Sequence, residues 1–271
     1  MIKRFLVIAL SLVAMLALAG CGGSKDSGAE STQEIKVGAT AGPHAEVVEA
    51  AAKEAEKTGL KVKVVEFTDY VTPDKALAGG DIDIASYQHK PFLDNFNKQN
   101  GSDLVAIGNS ILMRMGIYSN KVYDVKNIPD GATVAIPNDP TNGGRGLMLL
   151  EKAGLLKLKA GAGVKATVAD IAENPKHLNI KELEAAQLPR SLDDVDAAAI
   201  TMNYVMSAGL DVKKQGIFLE PKDEPLAVMI IAVRSKDKDN QAYKKFVQAY
   251  QSEAVRKFIA DKYKGTIEPA F

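Results

Sequence analysis

The sequence predicts an α/β protein of two similar lobes, on three observations. From Ile35 onward, short apolar runs of strand type alternate with helical stretches, the pattern of strands and helices packed in layers. The scheme then runs a second time from about Ala132. Finally, Gly80-Asp81-Ile82-Asp83-Ile84-Ala85 and Asp194-Val195-Asp196-Ala197-Ala198-Ala199 share an acidic–apolar–acidic opening, 113 residues apart. Ligands of open α/β sheets sit beyond the carboxyl ends of the strands, so two facing lobes would surround one cleft.

Each element has its own signal. IKVGAT (35–40) reads as a strand, and Pro43 opens an alanine-rich helix that Gly59 stops. KVKVVEF (61–67) and DIDIAS (81–86) read as strands, with a helix from 91 to 99 after them. LVAIG (104–108) and LMRMGIYS (112–119) are further strands. In the second series ATVAIP (132–137), LNIKELE (178–184) and DAAAI (196–200) are strands. Helices are expected at 145–152 and 203–208. IFLE (217–220) and MIIAVR (229–234) return to strand, and 240–263 forms one or two amphipathic helices.

The first residues address the chain. Lys3 and Arg4 precede fifteen apolar and small residues, FLVIALSLVAMLALA (5–19). At 1.5 Å per residue that run reaches roughly 22 Å, short of the roughly 30 Å hydrocarbon core, so it reads as an export signal over residues 1–20. Leu18-Ala19-Gly20-Cys21 resembles the lipobox of bacterial lipoproteins, which implies a diacylglyceryl group on Cys21 and cleavage before it. The alternative is an unmodified cysteine closing a hydrophobic segment. Two acyl chains anchor stably where one is marginal. Residues 21–34 are Gly/Ser-rich and polar, a flexible linker between lipid and folded body. Nothing further along reads as transmembrane, which places the protein on the extracytoplasmic face of the cell membrane.

Charge and composition exclude several classes. The 34 basic and 34 acidic residues balance, and loss of residues 1–20 leaves 32 against 34, or −2. A nucleic-acid partner is not expected, because phosphate-tracking proteins carry a basic excess. One cysteine and three histidines leave little for a metal site or a disulfide framework, and no cofactor is expected. With no G-x-S-x-G, H-E-x-x-H or P-loop, an enzyme is not expected either.

Candidate binding residues follow strand ends. Pro137-Asn138-Asp139-Pro140-Thr141-Asn142-Gly143-Gly144-Arg145 is crowded with turn formers and leads into a helix. Free N–H groups there favour an anion, and glycines permit close approach. Arg145 is one of five arginines after Cys21, and a guanidinium suits bidentate carboxylate binding. A capped turn with a solvated arginine is the alternative. Tyr70, Tyr87 and His89 also follow strands, where aromatics can wall an apolar slot and His89 can make a hydrogen bond. Core packing would explain each of the three individually. His44 and His177 read as surface or cap residues.

Several long strings carry a resemblance: VGATAGPHAE (37–46), DYVTPDKAL (69–77), GDIDIASYQHKPFLD (80–94), AIPNDPTNGGRGLMLLEKAGLLKLK (135–159) and ENPKHLNIKELEAAQLPRSLDDVDAA (173–198). They are similar to the NlpA or methionine-binding family of substrate-binding lipoproteins. The resemblance implies a type-II periplasmic-binding-protein fold, two α/β lobes joined by two crossovers around a ligand cleft. Lobe 1 would take 35–118 with 232–271, and lobe 2 119–231. It further implies capture of L-methionine or a related amino acid for an ABC permease with a cytoplasmic ATPase. Carried over by motif, Tyr70, Tyr87 and His89 would build the amino-acid pocket. Asn142 and Arg145 would hold the ligand backbone, Arg145 its carboxylate.

Three departures bear on the ligand. Family members usually carry asparagine in an I-N-x-x-Y/F segment, where this chain has Ile200-Thr201-Met202-Asn203-Tyr204. Their Y-x-N segment is replaced by Leu226-Ala227-Val228-Met229, and their aromatic–proline pair by Met113-Arg114. Thr201, with Asn203 as a compensating group, therefore joins the expected ligand contacts. A lost hydrogen bond to a charged group costs about 1.5–3 kcal/mol, so a different amino acid, D-methionine or a methionine dipeptide is an open alternative. A surface lipoprotein with an adhesion role is another.

Overall fold

A computed structural model describes residues 34–271 of the chain. The expected signal at 1–20, the lipidated Cys21 and the linker up to residue 33 lie outside the described residues. Glu34, expected as the last linker residue, already pairs with Lys61 in the first strand.

The chain builds β1 (Glu34–Thr40), α1 (Pro43–Glu56), β2 (Lys61–Phe67), α2 (Thr72–Gly79), β3 (Ile84–His89), α3 (Lys90–Asn100) and β4 (Leu104–Leu112) in turn. Next come β5 (Met115–Tyr118), β6 (Thr133–Pro137), α4 (Pro140–Lys152) and a small hairpin of β7 (Lys157–Leu158) with β8 (Ile171–Glu173). Then follow β9 (Asn179–Leu183), α5 (Leu188–Ser191), β10 (Ala197–Thr201), α6 (Met202–Ser207), α7 (Val212–Gln215) and β11 (Gly216–Leu219). β12 (Val228–Arg234), α8 (Gln241–Tyr250), α9 (Glu253–Tyr263) and β13 (Glu268–Pro269) come last.

The strands form two main sheets. The first has the order β13-β4-β12-β3-β1-β2, with β1 parallel to β2 and β3, and β12 antiparallel to β3 and β4. The second has the order β11-β5-β10-β6-β9, with β6 parallel to β9 and β10, and β5 antiparallel to β10 and β11. The chain crosses between them twice, between Leu112 and Met115 and between Leu219 and Val228.

These crossings shift the joints expected at 118 and 231. Residues 115–118 pair with the second sheet, and 228–231 already belong to the first. The run 112–119 reads as one strand because both halves are apolar. Its backbone changes partner midway, where the Met113 N–H donates to the Ala227 carbonyl.

The acidic echo has the same structural role in both sheets. Asp83 Oδ2 accepts the Lys36 N–H at 2.8 Å, while the Asp83 N–H donates to the Lys36 carbonyl. Asp196 Oδ2 accepts the Thr133 N–H at 2.8 Å, and the Asp196 N–H donates to the Thr133 carbonyl. Each aspartate thus ties the start of its strand to the neighbouring parallel one. That is why β3 begins at Ile84, after the acidic residues, and runs on to His89.

Apolar residues fill three clusters. One holds α2 and α3 against the first sheet through Leu77, Leu93 and Phe96. A second packs α4 on the second sheet through Leu147, Leu149 and Leu150, each burial contributing about 2 kcal/mol. The largest joins α1, α8 and α9 to the first sheet and continues to Ile200 of the second sheet and to Met202 and Val205 of α6.

Candidate binding cavity between the two sheets

The loop before α4 is ordered by its own side chains. Asp139 caps the helix by accepting the Asn142 N–H at 2.9 Å, and Pro140 takes the first turn, where its missing donor does no harm. The helix therefore starts five residues before the expected 145. Glycine is required at 144, where a Cβ would lie 2.2 Å from the Val164 carbonyl oxygen. Arg145 consequently enters the interior one turn into the helix and is 2% exposed.

A narrow cavity of about 30 Å³ lies at the carboxyl ends of strands from both sheets. All seven residues singled out by sequence line it: Tyr70, Tyr87, His89, Asn142, Arg145, Thr201 and Asn203. His44, Gln88, Phe92, Met113 and Met229 complete the wall. His44 was expected at the surface or in a cap. It is 2% exposed, and the start of α1 lies against α6, where Ser207 Oγ donates to the Ala41 carbonyl. His177 is exposed, as expected, in a turn.

The first sheet contributes an aromatic wall. Tyr70 stacks at a tilt on Tyr204 with ring centroids 4.7 Å apart, and Tyr87 and Phe92 lie 6.0 and 6.4 Å from it. The Tyr87 hydroxyl donates to the Tyr70 carbonyl at 2.8 Å. The Tyr70 hydroxyl meets Thr201 Oγ1 across the cleft at 2.9 Å. Burial raises the Tyr70 hydroxyl well above its ordinary range, so it stays protonated.

His89 is fixed by a chain of partners. Its Nδ1 accepts the Phe92 N–H at 3.1 Å, capping α3, so Nε2 carries the proton. Nε2 then donates to Asn142 Oδ1 at 3.1 Å, and Asn142 Nδ2 donates to both oxygens of Asp139. Burial, with the Arg145 charge adding to it, lowers the His89 pKa to about 3 and keeps the ring neutral. His89 and Asn142 thus spend these polar atoms on each other and join the two sheets.

Arg145 is held by a residue that local sequence does not announce. Its Nε and Nη2 donate to the two oxygens of Glu220, which is 3% exposed, and Nη2 also donates to the Met113 carbonyl. Glu220 Oε2 in turn accepts the Met115 N–H at 2.6 Å. The bidentate edge expected for a ligand carboxylate is therefore filled from within. Nη1 is the guanidinium nitrogen without a partner among the described residues. Around it, Asn203 Oδ1, His44 Nδ1 and both amide atoms of Gln88 are buried with no hydrogen-bond partner among the described residues.

Two sheets exchanged twice by the chain, with a buried arginine in the cavity between them, define a two-lobed ligand-binding protein of the periplasmic-binding-protein fold. Comparison with known proteins narrows the class. The chain belongs to the NlpA lipoprotein family, whose model matches residues 35–271. It is 49% identical over 248 residues to the D-methionine-binding lipoprotein MetQ of Escherichia coli O157:H7, covering 90% of each chain. It is 45% identical to a probable D-methionine-binding lipoprotein MetQ of Pasteurella multocida, covering 95% of each. Among solved structures, a nutrient binding protein from Burkholderia cenocepacia bound to methionine superposes with a TM-score of 0.85 at 51% identity, over 88% of this chain and all of that one. Among the described residues, no helix is long and apolar enough to cross a membrane.

Proposed function

We propose that this chain is a lipid-anchored receptor on the extracytoplasmic face of the cell membrane. It captures methionine and hands it to an ABC permease driven by a cytoplasmic ATPase. Its chemistry is capture, with no covalent step. Cys21 carries the lipid, residues 21–33 form the tether, and the lobes divide at the two crossings, 113–114 and 220–227. The observation that carries the reading is Arg145, buried at the end of an aromatic slot with Nη1 free for a carboxylate. A thioether side chain suits that slot, since sulfur packs favourably on aromatic edges. The methionine named for the relatives points the same way.

A different amino-acid ligand is the second reading, because Thr201, Met229 and Met113 of the Met113-Arg114 pair line the cavity, while Arg114 does not. Calorimetry separates the two. A soluble version beginning at Gly22 would be unfolded and refolded to strip ligand, then titrated with L-methionine, D-methionine, other amino acids and methionine dipeptides. The expected result is methionine binding with Kd below about 1 µM, or about −8 kcal/mol, lost on Arg145→Ala. Heat from another panel member alone moves the substrate and keeps the transport role. Silence across the panel from folded protein overturns amino-acid capture.

A further inference from the structure

Thr201 and Met229 line the cavity. Neither carries an amide or carboxylate oxygen. The Thr201 hydroxyl is paired with Tyr70 at 2.9 Å, and a thioether accepts only weakly. Glu220, which is buried beside Arg145, is spent on Arg145 and the Met115 N–H. A zwitterionic ligand placed with its carboxylate on Arg145 Nη1 must find another home for its ammonium group.

One corner of the cavity supplies it. Asn203 lies two residues beyond Thr201, in the first turn of α6, and is 2% exposed. Its Oδ1 has no partner and stands 3.8 Å from where a Cβ on Gly42 would sit. Gly42 directly precedes α1, whose second residue is His44, also 2% exposed and also unpartnered at Nδ1. Buried polar atoms in native proteins are overwhelmingly hydrogen-bonded, and exceptions mark sites awaiting a partner. We propose that Asn203 Oδ1 and His44 Nδ1 together receive the ammonium group of the amino-acid ligand.

The assignment rests on the amino-acid reading above. Burial holds His44 neutral, with its pKa near 3, so in the Nε2–H tautomer the Nδ1 lone pair stays available at neutral pH. Asp139 and Asp74 are the carboxylates buried nearby. The first is committed to Asn142 and Thr141, and the second lies behind Gln88 and Tyr87. The α1 N-terminus opposes a cation at this corner, but two charge-assisted hydrogen bonds outweigh one helix end. Thr201 then acts on closure, through Tyr70, and not on the ligand.

The test pairs methionine with 4-(methylthio)butanoate, which keeps the carboxylate and thioether and lacks the amine. Wild type is expected to prefer methionine by about 10- to 150-fold, the worth of hydrogen bonds to a charged group. Asn203→Ala and His44→Phe should each erase most of that preference, weakening methionine while leaving the analogue within about threefold. Thr201→Val should shift both ligands by the same factor. Thermal unfolding of each ligand-free variant checks that lost binding is not lost fold. Equal losses for both ligands in Asn203→Ala and His44→Phe, or no loss in either, overturn the assignment. So does a Thr201→Val variant that weakens methionine alone. A wild type binding the analogue as tightly as methionine overturns the assignment but keeps the Arg145 anchor. A wild type silent to both overturns the amino-acid reading itself.

Discussion

The two lobes begin their strands alike and end them differently. At the starts, Asp83 and Asp196 make the same pair of bonds to Lys36 and Thr133, and each has a basic neighbour, Arg234 at 3.6 Å and Lys121 at 3.2 Å. At the carboxyl ends the likeness is gone. The first lobe presents Tyr70, Tyr87 and Phe92, an apolar wall whose hydroxyls are tied down. The second presents Asn142 and Arg145, held by Asp139 and Glu220. Strand starts carry scaffold and strand ends carry the cavity lining, where open α/β sheets place their ligands.

The largest expected effect breaks the second lobe's wall. Arg145→Met leaves Glu220 buried without its partner and should cost about 3–5 kcal/mol of stability in denaturant titration. Adding Glu220→Leu should restore most of that stability, since an apolar pair of similar volume replaces a buried ion pair at little cost. Ligand binding should stay lost in both. Full recovery of binding in the double variant would show that the wall needs no charge.

The next effect sets the first lobe's histidine against the unfolded chain. His89 titrates at about 3 when folded and near 6.5 when unfolded. Below about pH 6.5 the unfolded chain therefore binds a proton that the folded chain refuses, and stability falls as pH drops toward 3, by about 1.4 kcal/mol per pH unit. His44 adds a second such group. Asp74, raised to about 7 by burial, acts oppositely between about 7 and 3.8. His89→Gln should lower the slope of stability against pH between 6 and 4 by one proton's worth, and Asp74→Asn should raise it by one. Slopes unchanged from wild type would mean these side chains are hydrated when folded.

The smallest expected effect sharpens the likeness between the lobes. Asp83→Asn and Asp196→Asn each weaken one charge-assisted bond to a partly exposed strand start, worth about 1–2 kcal/mol. Thermal denaturation should rank them equal within about 0.5 kcal/mol. A severalfold disparity would mean the echo in sequence is not an echo in energy.

Much of this was legible in the sequence because it is local. Alternation and apolar runs mark the strands, and Pro137 to Arg145 announces a capped helix entry in its own composition. The acidic echo foretold two related lobes. What stayed hidden depends on distance. Glu220 lies 75 residues from Arg145, in a stretch with no motif of its own. The break at Met113 and Arg114 follows from a change of strand partner, which apolar residues on both sides conceal. His44 reads as a cap because it follows a proline at a helix start, and the packing of that start against α6, a separation of 166 residues from Ala41 to Ser207, is not visible in the local sequence. α2 is short and holds few apolar residues, though Pro73 and the Asp69 cap were available signs.

Glu220 has one more consequence. An arginine alone in a buried hollow would draw chloride, phosphate or any other small anion out of the surrounding fluid. With the glutamate bonded to two of its three nitrogens, the hollow holds a neutral pair, and an inorganic anion gains no net charge to offset the water it sheds on entry. The neutrality of the Arg145–Glu220 pair thus disfavours common inorganic anions at this position.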